Sequence, residues 1–248
     1  METGLPKTSK IRIFADVELI KGNKVELKPE QSHYLVSVMR LQSGDNILVF
    51  NGKDGEFDCT LFVESKKTVI IEINEQTRKF ESVPDIWLLF APLKKDCTDF
   101  VIEKATELGI AKIVPVITKY SISDKVKTSR YQSQAIEAAE QCRRLDVPTI
   151  DEAMSFEKLL NSWDEKRTLY YMDETLAGIP VGEVFRNAPT PVAFLIGPEG
   201  GFSEQELILL RSKKYAKGVK LGKRILRAET AALSAISCWQ ALSGDWKQ

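Results

Sequence analysis

The chain has 248 residues, 43% of them hydrophobic and 28% charged, a composition that excludes a disordered or fibrous protein and suits a globular one with a sizeable core. Lys and Arg together balance Asp and Glu at 35 each, so no global field draws a polyanion and any such partner must be held by local basic patches. A single histidine and four scattered cysteines without a CxxC pair exclude the usual zinc spacings.

No apolar run approaches the roughly 18 residues of a membrane span, and the opening METGLPKTSK lacks a secretory apolar stretch. Unpaired cysteine spacing suits a reducing compartment. The expectation is a soluble, cytoplasmic protein with no membrane partner.

Residues 11–73 read as short strands separated by turns: IRIF, VEL, then NILVF, GEFDCTLFVE and KKTVIIEI. Asn51-Gly52 and Asp54-Gly55 are strong turn signals between apolar runs. PEQSHYLVSVMR, residues 29–40, is the helical interruption, with Pro29 in its first turn. A small β-barrel with one short helix fits. NEQTRKFESVP, residues 74–84, is polar, ends in proline and reads as a linker.

Beyond it the rhythm changes. DIWLLFAPL is a continuous apolar strand, followed by the amphipathic helix KKDCTDFVIEKATELG, in which Val101, Ala105 and Leu108 recur at helical spacing and Gly109 supplies the stop. AKIVPVI, RTLYYMD, PVAFLIG and AKGVKLG are further strands. They interleave with helices over 129–144, 155–162, 203–214 and 228–242. Strands alternating with helices imply a largely parallel, doubly covered sheet. The fold class is therefore α/β, with a barrel over residues 1–77 and an α/β domain over 78–248.

Two strand-end loops carry the chemistry. LIGPEGGFSEQE, residues 195–206, ends an apolar strand and enters a helix that Ser203 and Glu206 can close as a capping box. Its glycines suit a tight turn as well as a close approach of backbone to a ligand. The loop fits neither the Walker pattern nor G-x-G-x-x-G. Glu199 would repel a phosphate, which leaves a ribose hydroxyl or a cation as the better guest. LGKRILRAETAA, residues 221–232, is a basic turn before a helix rich in small residues. It suits a solvated turn with a packing helix, or the second wall of one pocket.

Together, IGPEGGFSEQE and LGKRILRAETAA resemble the signature loops of the RsmE family, within the SPOUT superfamily, whose members methylate N3 of a uridine in small-subunit ribosomal RNA. EKATELGIAKIVPV (103–116), AAEQCRR with VP beyond it (138–148), and HYLVSVMRLQSGD (33–45) extend the resemblance over nearly the whole chain. Residues 1–10 look like a short extension before the family's usual start. The resemblance implies a PUA-like β-barrel for RNA binding, a methyltransferase domain with a trefoil knot, S-adenosylmethionine as donor, and a homodimer. Its cofactor pocket would have the backbone around Leu195, Ile196, Gly197, Glu199, Gly200 and Gly201 on one side. Leu221, Gly222, Ile225, Leu226 and Thr230 would form the other, with Met172 at a neighbouring strand end.

Uridine N3 carries a proton at neutral pH, so methylation needs a base or a stabiliser of the anion. Arg227, Glu229 and Arg143 are the catalytic candidates. Arg227 and Glu229 could equally form a local ion pair with Thr230 as helix cap, and Arg143 could equally sit on a helix dipole. RNA-binding candidates are Arg12, His33 and Arg40 on the barrel and Lys94, Arg144 and Arg224 on the larger domain, with Lys7, Lys10, Lys95 and Lys223 as further cations. Each suits an ordinary surface, and His33 a structural role, unless they converge on one face. Two other readings remain at this point: ribose 2′-O-methylation, and a ribosome-assembly RNA-binding protein without turnover. The Ala and Ser face of helix 228–242 is expected at or near the dimer interface.

Overall fold

The structure, a computed structural model, describes residues 11–123 and 125–247; Lys7 and Lys10 lie outside them. The chain divides into two compact units. One runs to Ser82 and takes in Ala139–Asp146; the other holds Val83–Ala138 and everything from Val147 onward. A single boundary at 77/78 does not contain that return of the chain, which puts Arg143 and Arg144 with the barrel residues rather than with the larger unit.

In the first unit, five strands lie in the order Arg12–Phe14, Asn46–Phe50, Glu56–Ser65, Thr68–Arg78, Lys24–Glu26. The first pair is parallel and the rest antiparallel. Period-2 alternation sends Phe57, Cys59 and Leu61 inward from one long strand and Val69, Ile71 and Ile73 from the next, the pattern of a sheet with one buried face. Helix Pro29–His33 passes into a π-helical turn, Tyr34–Val38, whose Leu35 is fully buried in this core.

Residues 74–78 are strand rather than linker. Their polarity hid this: the backbone pairs with Glu56–Ser65, and polar side chains bond across the strands, Asn74 Nδ2 donating to Thr60 Oγ1 at 2.9 Å and to Asp58 Oδ2 at 3.3 Å. Cross-strand hydrogen bonds of this kind support a ladder as apolar pairs do.

Arg12 is the second departure. It is buried, and its Nε donates to Glu56 Oε2 at 2.5 Å. Nη1 donates to the carbonyls of Ala139 (3.0 Å) and Glu140 (2.9 Å), and Nη2 to that of Arg144 (3.0 Å). These carbonyls end a helix, where intrahelical donors run out. Removing one partner of such a buried pair costs about 3–5 kcal/mol. Arg12 therefore holds the first unit together and is not an exposed RNA contact. Arg144 is similarly engaged, with Nε on Asp146 at 2.9 Å and a side chain 7% exposed.

In the second unit the sheet order is Ile179–Pro180, Ala216–Lys220, Thr168–Met172, Val192–Ile196, Ile86–Phe90, Lys112–Ile117, Thr149–Ile150, with Met154–Ser155 also on Lys112–Ile117. Every pairing is parallel. Val192–Ile196 is buried throughout, which explains its unbroken VAFLI. Each such side chain contributes about 1.5–3 kcal/mol relative to exposure. Pro115, which cannot donate to a ladder, falls in the break between the two-residue strands that pair at 112–113 and 116–117.

The helices are Lys95–Glu107, Thr128–Cys142, Phe156–Asn161, Val181–Val184, Glu204–Ser212 and Ala228–Leu242. The last turns its alanine face inward: Ala228, Ala231, Ala232 and Ala235 are buried with Ile236 and Trp239 in the unit's own core. Most of the alanines thus serve packing within the chain, while Ser234 and Ser237 stay partly accessible and Ala241 is exposed.

Candidate active site

Because the sheet is parallel, its strands all end on the same side. The pairs Met172–Val219, Tyr171–Leu195 and Ile196–Phe90 set four adjacent strand ends level. The loops beyond them enclose a cavity of about 640 Å³, within the 300–1,000 Å³ usual for small-molecule sites.

The glycine loop forms one wall. Ile196, Gly197, Pro198, Glu199, Gly200 and Gly201 all line it. Ser203 Oγ accepts from Glu206 N–H, and Glu206 Oε2 accepts from Ser203 N–H at 2.8 Å. The expected capping box is present. Glu206 Oε1 also accepts from Lys119 N–H at 2.9 Å, so one buried carboxylate ties the helix start to a neighbouring loop.

Gly201 has φ +72, and a Cβ there would lie 2.5 Å from Glu174 Oε1. That carboxylate accepts from Phe202 N–H at 2.7 Å, so it latches the loop from the next strand end. At Gly200 a Cβ would meet the Tyr120 side chain at 3.2 Å, so smallness there serves packing.

The segment 173–176 was not legible as part of the site. Asp173, Glu174 and Leu176 line the cavity. Asp173 Oδ1 accepts from Thr175 N–H at 3.0 Å and Oγ1 at 2.5 Å, and Leu176 is held left-handed at φ 61. Strained backbone of this kind persists only where surroundings enforce it.

The basic loop supplies the opposite wall through Leu221, Arg224, Ile225, Leu226 and Arg227, continued by Ala228, Glu229 and Ala231. Met172, Val219, Cys97 and Lys94 complete the lining. Of the expected cofactor residues, three are placed differently. Leu195 is wholly buried inside the sheet, while Gly222 and Thr230 are exposed and do not line the cavity. Thr230 is not the helix cap either. Arg227 occupies that position, with no side-chain cap hydrogen bond.

Helix Ala228–Leu242 therefore opens on the cavity with uncapped N–H groups and the positive end of its dipole. Among the described residues, no hydrogen bond or ion pair engages the side chains of Arg227, Glu229, Glu199, Lys94 or Arg224. The Arg227–Glu229 ion pair that the sequence equally allowed is not formed. Burial pushes the Tyr170 and Tyr171 phenols up, so neither offers a base at neutral pH.

Arg143 does not line this cavity; it is exposed in the first unit at φ 64, its carbonyl accepting from Arg78 Nη1 at 2.7 Å. His33 and Arg40 are exposed on the first unit, and Lys95 and Lys223 on the second.

A mostly antiparallel first unit is thus joined to a parallel α/β unit with a cavity at its strand ends. Residues 81–240 match the RNA methyltransferase domain family and residues 27–74 the RNA methyltransferase PUA domain. The ribosomal RNA small subunit methyltransferase E of Rickettsia conorii is 35% identical over 91% of this chain and 93% of its own. That of Bacillus subtilis is 32% identical over 84% and 86%. The structure of the Neisseria gonorrhoeae methyltransferase E bound to S-adenosyl methionine superposes with a TM-score of 0.87 at 33% identity, covering 96% of this chain and 99% of that one. A Legionella pneumophila methyltransferase in complex with the same cofactor gives 0.88 at 30% identity, covering 96% and 100%. The chain belongs to the ribosomal RNA small subunit methyltransferase E family.

Proposed function

We propose that this chain transfers the methyl group of S-adenosylmethionine to N3 of a uridine in small-subunit ribosomal RNA. The observation that carries the reading is the one cavity in which a glycine cradle and an apolar slot meet the unpaired Arg227 and Glu229 at an open helix N-terminus.

The residues fit the cofactor. Leu221, Leu226, Val219 and Met172 make an apolar slot suited to adenine, and the glycine loop lets backbone approach closely. Glu199 suits a cation, and no phosphate cradle is needed. When bound, the cofactor supplies an electrophilic methyl on a positively charged sulfur.

The chain's own groups do the rest. Glu229 accepts the N3 proton of the uracil. Arg227 and the first N–H groups of helix Ala228–Leu242 hold the negative charge left on the ring and its carbonyl oxygens. Because neither side chain is paired among the described residues, both are available to substrate. Lys94 and Arg224 both line the cavity and suit flanking phosphates, with His33 and Arg40 as surface contacts for the RNA on the first unit.

The family resemblance further supports a cytoplasmic homodimer and a trefoil knot in the larger unit. Calorimetry with S-adenosylmethionine tests the reading at its first step. Micromolar binding is expected. Absence of binding would leave an RNA-binding protein without turnover, the competing class.

A further inference from the structure

The cavity wall carries seven charged side chains: Lys94, Asp173, Glu174, Glu199, Arg224, Arg227 and Glu229. Two of the acids are satisfied by the protein. Asp173 accepts from Thr175 and Arg211, and Glu174 accepts from Phe202 N–H. Among the described residues the remaining acids and all the cations are unpaired, although opposite charges share one cavity. Glu199 stands on the glycine loop, Arg224 and Arg227 on the basic loop, and Lys94 on the turn after strand Ile86–Phe90. Glu229 is half-buried at the open end of a helix, two positions after Arg227. Glu229 is given to the uracil above, which leaves Glu199 as the carboxylate without a partner among the described residues that can face the cofactor.

We infer that Glu199 reads the charge of the cofactor's sulfur, favouring the methylated donor over the demethylated product. This rests on the cofactor assignment proposed above. Methyl transfer breaks the sulfur–methyl bond and leaves the bonding pair on sulfur, converting a cationic sulfonium to a neutral thioether. A carboxylate on the cavity wall attracts the first and not the second. It therefore raises donor affinity, and the same interaction is gone at the moment the product must leave. The acid could instead meet the cofactor's ammonium or a ribose hydroxyl. Both groups are common to donor and product, so those contacts cannot discriminate between them.

Glu199 is exposed, so water screens the interaction. Two unit charges about 4 Å apart in a water-like dielectric attract enough for roughly a fivefold preference. Such a preference also shrinks as salt rises.

The test is calorimetric titration of the intact protein and of Glu199→Gln with S-adenosylmethionine and, separately, S-adenosylhomocysteine, at low and high salt. Expected is a donor-to-product affinity ratio that falls about fivefold in the variant, mainly through weaker donor binding, and that shrinks with salt only in the parent. Equal weakening of both ligands would assign Glu199 to the ammonium or ribose and overturn the inference. So would an unchanged ratio with unchanged affinities. If the parent binds neither ligand, the cofactor assignment itself fails, which is a separate outcome. Glu199→Lys gives an independent reading: the ratio must fall further than in Glu199→Gln, and a rise would contradict the inference.

Discussion

Arg227→Ala is expected to lower the saturated rate of methylation about a hundredfold or more while changing cofactor affinity by only a small factor. Losing one fixed donor to a developing anion typically has this cost. Arg227 is placed for the role. It is the N-cap of Ala228–Leu242, it lines the cavity, and no group among the described residues pairs with it. Arginine stays protonated at any working pH, and lysine cannot reproduce its planar fork, so Arg227→Lys should recover only part of the rate. Arg224→Ala is the comparison. A phosphate contact should weaken RNA binding, reduce its salt slope by about one, and leave the saturated rate nearly intact. Single-turnover rates at saturating RNA and donor separate the two patterns. A near-normal rate for Arg227→Ala would remove it from the chemistry and make its position at the helix start purely structural.

The second large effect is expected at Gly201. Gly201→Val should abolish measurable cofactor binding, or weaken it by at least ~10- to 100-fold, ~1.4–2.8 kcal/mol, while circular dichroism shows the fold retained. Two causes act together. A residue with a side chain at φ +72 is strained by roughly 1–2 kcal/mol, more when β-branched. Its Cβ would also sit 2.5 Å from Glu174 Oε1, and that oxygen cannot retreat without releasing Phe202 N–H. The loop must move, and its lining of the cavity goes with it. Gly201→Ala combined with Glu174→Ala separates the causes. Removing the carboxylate relieves the clash but neither the backbone strain nor the lost latch, so rescue should be partial and non-additive. Normal cofactor affinity in Gly201→Val would make the loop a plain turn.

What the residues disclosed in advance, and what they concealed, follows from how local each cause is. Ser203 and Glu206 lie three apart and close on each other, so the capping box needs no knowledge of the fold. The apolar run of Val192–Ile196 and the glycine loop after it are equally local, and so is the start of helix Ala228–Leu242. By contrast, Glu174 reaches Phe202 only because strands Thr168–Met172 and Val192–Ile196 are neighbours. Nothing in MDETL signals that pairing. Arg12 misled for a related reason: a cation looks the same in sequence whether it meets solvent or a buried carboxylate 44 positions away. The polar residues 74–78 hid a strand because their partners are distant in sequence: Asn74 meets Asp58 and Thr60, and Thr77 meets Glu56, all on the adjacent strand. The alanine face of Ala228–Leu242 was correctly read as a close-packing surface, but its partner is the chain's own core.

The central claim concerns the atom that receives the methyl group, and nucleoside mass spectrometry of small-subunit ribosomal RNA from cells with and without the gene addresses it directly. Digestion to single nucleosides distinguishes 3-methyluridine from its 2′-O-methylated isomer by fragmentation, since the added methyl stays with the base in one and the sugar in the other. The account predicts that 3-methyluridine disappears when the gene is removed and returns with the parent protein, but not with Arg227→Ala at equal expression. Loss of a 2′-O-methyl nucleoside with 3-methyluridine unchanged would contradict it.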